Sequence, residues 1–432
     1  MRFSKTKVLA ALKCEKQLFL SVHHPELAEK SDSPASVTGQ VVEEHARREF
    51  PDGVIVERNK PNQDPFEFTR QLLQDDKVGT IFEAGIECDD LALFVDVLQR
   101  NGDGWDVIEI KAATQVKEEF IDDVAVQALA LSQAGVEVKH YYLMHINNDF
   151  VYLGNHDYTG LFVREEITDQ VLHHVPFIEQ YLGQLNTIIA GAQPERHIGS
   201  YCKNPYLCSF YRYCESQDAE YPVAWLPNGW RAAQTLIAQG IYDIRDIPAD
   251  ALNSETHQWV RSVTLSGEPE LLSGAKHILD TLPYPRYYLD FECIQFAIPV
   301  WENTRPYVQL PFQWSCHVQK DPESLEHEAF LDTSGSDPRY QFAKSLLEVC
   351  GETGPIIVYN QSFEKRIIRE LAETFPDLSN RLLALNERVF DLLPVAKKNY
   401  YHPDMKGSWS IKKILPCLVP ELSYSDLENV QD

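Results

Sequence analysis

No apolar run in these 432 residues approaches the ~18 that a membrane-spanning helix needs. The N-terminus supplies no such run either. After Met-Arg-Phe-Ser-Lys-Thr-Lys, the stretch Val8-Leu-Ala-Ala-Leu12 is interrupted by Lys13, too short for a secretory signal core. Internal repeats and low-complexity tracts are missing as well. Basic charge is scarce: 39 Lys and Arg stand against 65 Asp and Glu, a net charge of −26. That balance excludes nucleic-acid binding through a broadly basic surface. It leaves nucleic acid open as a substrate, because metal-dependent nucleases gather carboxylates at the scissile phosphate and let cations bridge the repulsion. The expectation is a soluble, cytoplasmic protein with no membrane partner.

What is present is enough to fold. Apolar residues make up 44% and aromatics 11%, more than a disordered chain carries, and the length predicts two or three domains. The first block, 1–215, mixes helical and strand patterns and ends in a cysteine cluster. The second, 222–280, reads as a short helical linker similar to a helical hairpin, with Gly240 as a helix stop and Asp246-Ile-Pro as the next start. From 283 to 432, strands alternate with helices. The fold class is α/β (α+β).

The first block holds the strongest chemistry. Leu91-Ala-Leu-Phe-Val-Asp-Val-Leu-Gln-Arg100 reads as a strand, Asn101-Gly-Asp-Gly104 as a turn, and Trp105-Asp-Val-Ile-Glu-Ile-Lys111 as the returning strand. Pairing Arg100 with Trp105 places Asp96 opposite Glu109, and alternation puts Glu109 and Lys111 on one face. Two carboxylates on paired strands can hold a divalent cation, and a neighbouring lysine can orient the attacking water. Glu-x-Lys alone is common, as Glu137-Val-Lys139 shows; the hairpin and the opposing aspartate distinguish this copy. Gln127, on the helix after Lys111, can face the same place.

Asp96, Glu109-Ile-Lys111 and Gln127 together resemble the core of the PD-(D/E)XK nucleases, most closely the RecB-like subgroup. The resemblance implies a restriction-endonuclease-like core, a Mg²⁺ or Mn²⁺ ion on Asp96 and Glu109, and DNA as the partner. It also implies an upstream glutamate, matched by Glu83 in Phe82-Glu-Ala-Gly, and a metal-binding histidine on a helix after a glycine. Gly39-Gln-Val-Val-Glu-Glu-His offers Glu44 or His45 for that role, with His45 as the metal ligand.

Nine cysteines in a cytosolic chain point to metal binding, catalysis or burial rather than disulfides. Cys88, Cys293, Cys316, Cys350 and Cys417 are scattered and read as core positions. Cys202, Cys208 and Cys214 form a C-x5-C-x5-C run, with Cys14 alone near the start. The RecB-like subgroup commonly carries an iron–sulfur cluster on one early and three late cysteines, so the resemblance assigns Cys14, Cys202, Cys208 and Cys214 to a [4Fe–4S] cluster. The even late spacing departs from the subgroup's usual one, and a tetrahedral four-cysteine zinc site is the alternative.

The third block has a signal of its own. Arg286-Tyr-Tyr-Leu-Asp-Phe-Glu292 is an apolar strand that places Asp290 and Glu292 on one face. A second strand, Ile356-Ile-Val-Tyr-Asn, leads to Glu364 at a helix start, and Arg388-Val-Phe-Asp brings Asp391. This order resembles the RNase H-like DnaQ exonucleases, which implies that Asp290, Glu292, Glu364 and Asp391 bind metal. Glu364 stands where aspartate is usual, and the family's late tyrosine or histidine motif is not visible in the 41 residues after Asp391. The expectation is therefore a truncated or incomplete second site, with Asp391 equally suited to capping a helix.

Taken together, the chain resembles an uncharacterised bacterial family joining an iron–sulfur RecB-like nuclease domain to an RNase H-like domain. The function expected is metal-dependent hydrolysis of phosphodiester bonds in DNA single strands or ends. The alternatives are a non-catalytic nucleic-acid-binding subunit of a processing complex and an RNA-directed nuclease using the C-terminal domain.

Overall fold

The structure, a computed structural model, describes residues 2–29 and 34–422, the side chains of 34–36 excepted. The fold is mixed α/β, and the chain divides into two compact units. The first comprises Met1–Arg196, Tyr206–Tyr213 and Phe296–Val308; the second comprises His197–Pro205, Cys214–Gln295 and Gln309–Asp432.

In the first unit, strands β1 (Val54–Ile55), β2 (Thr80–Glu87), β3 (Ala92–Asn101), β4 (Gly104–Lys111), β5 (Val138–Ile146) and β6 (Phe162–Glu166) form one sheet in chain order. The β1–β2 and β4–β5 pairs are parallel and the rest antiparallel. Helices α1 (Lys5–Lys13), α2 (Glu15–His23), α3 (Pro34–Ala46), α4 (Pro65–Gln74), α5 (Glu118–Gln133) and α6 (Thr168–Ala190) surround it. The β3–β4 turn places Gly102 at φ +62°, the positive φ that a two-residue hairpin turn demands of its first central residue. The ladder then pairs Arg100 with Trp105 and runs to Val97–Ile108. Residues 104–110 of β4 are all buried, as befits a strand covered on both faces.

Two apolar clusters flank this sheet. One joins α1, α5 and α6 to Val95, Leu98 and Val107. The other joins α3 to Val97, Ile108, Ile110 and Met144, and takes Ala297 and Ile298 from the late segment 296–308. Strict alternation fails in one place. Ile81, Ala84 and Ile86 of β2 belong to the first cluster and Phe82 to the second; on β3, Leu93, Val95 and Leu98 belong to the first and Val97 to the second. Both strands therefore change face around Glu83 and Asp96. Glu83 is at φ +55°, and the pairing runs from Phe82–Val97 to Ala84–Val95 without them.

Helix α7 (Tyr211–Gln217) spans a boundary between stretches of the two units. The second unit then runs through α8 (Trp230–Ala238), α9 (Glu255–Ser266), β7 (Glu270–Leu271), α10 (Gly274–Asp280), β8 (Arg286–Ile294), β9 (Leu310–Gln319), β10 (Glu326–Leu331), α11 (Arg339–Val349), β11 (Ile356–Val358), α12 (Ser362–Thr374), α13 (Ser379–Glu387), β12 (Val389–Asp391), α14 (Leu392–Asn399), β13 (Tyr400–Tyr401) and α15 (Ile411–Leu418). Its five-stranded sheet has the order β10-β9-β8-β11-β12, antiparallel from β10 to β8 and parallel from β8 to β12. Leu289, Phe291 and Trp314 pack against α11, α12 and α13. The stretch read as a linker builds a core of its own: Val223, Leu236 and Val260 close around Tyr400, Tyr401, Met405 and Trp409. Strand pairing of β7 with β13 ties the same segments together.

Candidate active site

In the first unit, the register sets three acids in a row across β2, β3 and β4. Glu83 lies at the gap opposite Asp96, and Asp96 lies just past the last Val97–Ile108 pair, opposite Glu109. Where the ladder stops, the Asp96 side chain takes over. Its Oδ2 accepts from the Ile110 amide at 2.9 Å. Glu109 is 1% exposed and sits at the centre of a polar network inside an otherwise apolar layer.

Helices α1 and α5 supply the rest of that network. Lys111 Nζ donates to Glu109 Oε1 at 2.6 Å and to Asp123 Oδ2 at 2.5 Å. Lys5 Nζ reaches Glu109 Oε1 at 3.0 Å and Asp123 Oδ1 at 2.8 Å. Gln127, one turn after Asp123 on α5, donates to Glu109 Oε2 at 2.7 Å. Burial alone would raise the Glu109 carboxyl, but the Lys111 and Lys5 ammonium groups outweigh it and hold that carboxyl well below the usual range. Burial would likewise deprotonate the two lysines; the facing carboxylates hold both above their ordinary value. Asp96 goes the other way: burial, then the Glu109 charge, push it up to about 8. Sequence reasoning reached Asp96, Glu109, Lys111 and Gln127. It missed Lys5 and Asp123, which only the packing of α1 and α5 onto the sheet brings in; the one-turn Asp123–Gln127 spacing was the available signal.

The other expected residues of this unit lie to one side. The left-handed backbone at Glu83 turns its carboxylate onto two arginines, Arg47 Nη2 at 2.7 Å and Arg58 Nη2 at 2.5 Å. On α3, Glu43 is the acid whose charge bears on both Glu83 and Glu109. Glu44 is exposed. His45 hydrogen-bonds the Val41 carbonyl at 2.9 Å and stands edge-on to Tyr158, so α3 turns Glu43, not His45, toward the acids.

In the second unit, the carboxyl ends of the parallel strands β8, β11 and β12 gather a second acid group, the usual place for a site in such sheets. Asp290 and Glu292 are on the exposed face of β8. Glu364, in the first turn of α12, is 3% exposed, and its Oε2 has no hydrogen-bond partner among the described residues. Burial, with the charges of Asp290 and Asp391, pushes it up to about 7. Asp391 caps α14: its Oδ1 accepts from the Leu393 and Asn360 amides, both at 2.9 Å.

Residues 287–410, which carry all four of these acids, match a family described as a domain of unknown function, DUF2779. Two curated relatives are similar to this chain. Uncharacterized protein UU173 of Ureaplasma parvum is 24% identical over 197 residues, covering 40% of this chain and 26% of that protein. The uncharacterized MG366 homolog of Mycoplasma pneumoniae is 26% identical over 155 residues, covering 33% and 23%. The chain thus spans about a quarter of the length of these curated relatives. Among solved structures, the crystal structure of SSO0001 aligns with 49% of this chain and 85% of its own at 14% identity, with a TM-score of 0.28.

Of the four cysteines singled out, Cys14 and Cys208 belong to the first unit, where burial raises the Cys208 thiol and the Cys14 charge adds to it. Cys202 and Cys214 belong to stretches of the second. Among the described residues, no three His, Cys, Asp or Glu side chains are gathered as a metal-holding group, and no helix is long and apolar enough to cross a membrane.

Proposed function

We propose that this protein is a cytoplasmic, metal-dependent nuclease that hydrolyses phosphodiester bonds of DNA single strands or ends, with the acids of the first unit as its site. The observation that carries this reading is the half-buried Asp96 facing the buried Glu109 beside two lysines. The donor set suits a hard divalent cation. Burial, and then the facing Glu109 charge, drive Asp96 toward its protonated form, and a cation bound between the two carboxylates would favour its charged form. The buried Gln127 Oε1, without a hydrogen-bond partner among the described residues, is a further oxygen donor. Mg²⁺ commonly takes one or two protein carboxylates and completes its shell with water and phosphate oxygens, so a closed cage of protein ligands is not required. Asp96 and Glu109 would hold it, and when bound it supplies Lewis-acid polarisation of the phosphate and a more acidic water.

The chain's own residues have definite tasks in this reading. Lys111, held protonated between Glu109 and Asp123, donates rather than accepts a proton, which fits it to steady negative charge developing on the phosphate. Gln127 and Asp123 fix Glu109 and the lysine head groups, so little reorganises during the reaction. The test is digestion of 5′- and 3′-labelled single strands with Mn²⁺, comparing wild type with Asp96→Ala and Lys111→Ala. Cleavage retained at the wild-type rate in both variants overturns the reading. One observation favours a second reading, a non-catalytic nucleic-acid-binding subunit: Lys5 and Lys111 already neutralise Glu109 and Asp123. The [4Fe–4S] cluster on Cys14, Cys202, Cys208 and Cys214, with zinc as alternative, is proposed from the sequence resemblance. So is an RNase H-like character for the second unit.

A further inference from the structure

Beside the acid row lies a cavity of about 620 Å³ whose walls include Gly39, Ile55, Val56, Glu43, Arg58 and Glu83. Glu43 links it to the row, since its carboxyl feels both Glu83 and Glu109. The wall at Arg58 is built, not incidental. Arg58 Nε and Nη2 both donate to Glu83 Oε2, at 2.9 and 2.5 Å, and its guanidinium lies over the Phe94 ring, 4.4 Å from the centroid. Arg47 donates to the other Glu83 oxygen at 2.7 Å. One carboxylate therefore serves two guanidinium groups, and it does so from a left-handed backbone that a glutamate adopts only at a cost. The Arg58 side chain remains 54% exposed, and its Nη1 has no hydrogen-bond partner among the described residues. An arginine fixed on two sides with one donor edge free is preorganised for an oxyanion.

We propose that Arg58, steadied by Glu83 and Arg47, binds a backbone phosphate of the DNA single strand whose scissile phosphate lies at Asp96 and Glu109. This rests on the nuclease reading for the identity of the strand. The exposed Ile55 side chain in the cavity wall takes the sugar of that nucleotide. Glu83 acts as a positioning residue: it holds Arg58 at the cavity while the strand is absent and leaves it free to share its outer edge when the strand arrives.

The experiment uses the full chain carrying Asp96→Asn, which silences cleavage under the nuclease reading, and measures binding of a fluorescent oligo-dT by anisotropy across a KCl series. Adding Arg58→Ala is expected to weaken binding by roughly 5- to 20-fold and to lower the salt slope by about 0.7, the loss of one phosphate contact on a single strand. Adding Arg58→Lys instead is expected to keep the slope while losing part of the affinity. The proposal is overturned if Arg58→Ala leaves affinity and slope unchanged, if Arg58→Lys falls as far as Arg58→Ala, or if the Asp96→Asn parent binds no strand. Parallel Mn²⁺ digestion with Asp96 intact separates the two readings. Arg58-dependent binding without any cleavage rejects the nuclease and keeps the clamp; cleavage with Arg58-independent binding rejects the clamp alone.

Discussion

Lys111 shows how little of a residue's role resides in its own identity. Its ammonium stays charged in a buried layer because Glu109 and Asp123 face it, and Lys111→Ala leaves both acids short of a partner. Under the nuclease reading, that substitution is expected to slow cleavage by on the order of 10²–10³, read as single-turnover rates on a labelled strand. Glu364 gives a prediction independent of any activity. Its folded pKa, about 7, lies above that of an unfolded glutamate, so the native state binds the extra proton. Stability is then greatest below the unfolded pKa of roughly 4.3 and declines as pH rises through about 7. Glu364→Gln, which mimics the protonated form, is expected to stabilise the chain at pH 8 by about 1–3 kcal/mol and to change little at pH 4. Thermal melts in EDTA at the two pH values measure this; an equal effect at both would refute it. Asp96, Glu109 and Lys111 were legible because strand period and hairpin register convert spacing into juxtaposition. Lys5, Asp123 and Glu43 were not, because each depends on how a helix docks, and helix docking leaves no fixed sequence offset.

At the scale of elements, a single side chain secures the end of a helix. Arg388 donates to the carbonyls of Cys350, Gly351, Thr353 and Gly354 at 2.6–2.8 Å, gathering the turn that follows α11. Those carbonyls would otherwise be satisfied only by water. Arg388→Ala is expected to cost about 2–4 kcal/mol, and Arg388→Lys to recover a minor part, since an ammonium cannot span four acceptors. Urea titration followed by tryptophan fluorescence checks it. The register of the β3–β4 hairpin was readable from Asn-Gly-Asp-Gly between two apolar runs, although Asn101 and Gly104, read as turn, pair in the ladder and leave a two-residue turn. The face change at Glu83 and Asp96 was not. Nothing in Phe82-Glu-Ala-Gly announces a left-handed glutamate; the partners its carboxylate meets, Arg47 and Arg58, come from elsewhere in the chain.

For the molecule as a whole, the division into units does not follow the chain in blocks. Residues 296–308 return to the first unit. There, Ala297 and Ile298 join its core, Pro299 accepts from Tyr158 Oη at 3.1 Å, and Thr304 bridges to Tyr152. A fragment cut at residue 215 loses all of these, and is expected to melt well below the first unit of the full chain, as differential scanning calorimetry would show. Equal melting would mean that the late segment adds nothing. The cysteine proposal also belongs at this scale. Protein purified without oxygen is expected to be brown, with broad absorption near ~400 nm, and Cys208→Ser to bleach it. One equivalent of zinc in a colourless protein would replace the iron–sulfur proposal.

The return of 296–308 also sets a clock. A ribosome adds roughly 5–20 residues per second, so the stretch between residue 215 and residue 308 keeps the nascent first unit waiting for about 5–20 s. During that interval α3 and the far face of the sheet lack Ala297 and Ile298. The exposed layer is the one beneath Val97, Ile108 and Ile110, the strands that carry Asp96 and Glu109. The Glu109 network faces the other cluster, where α1 and α5 close over it from residues made long before 297. Slowing translation across 215–308 therefore lengthens the exposure of the α3 face, rather than of the candidate site, to chaperones and proteases.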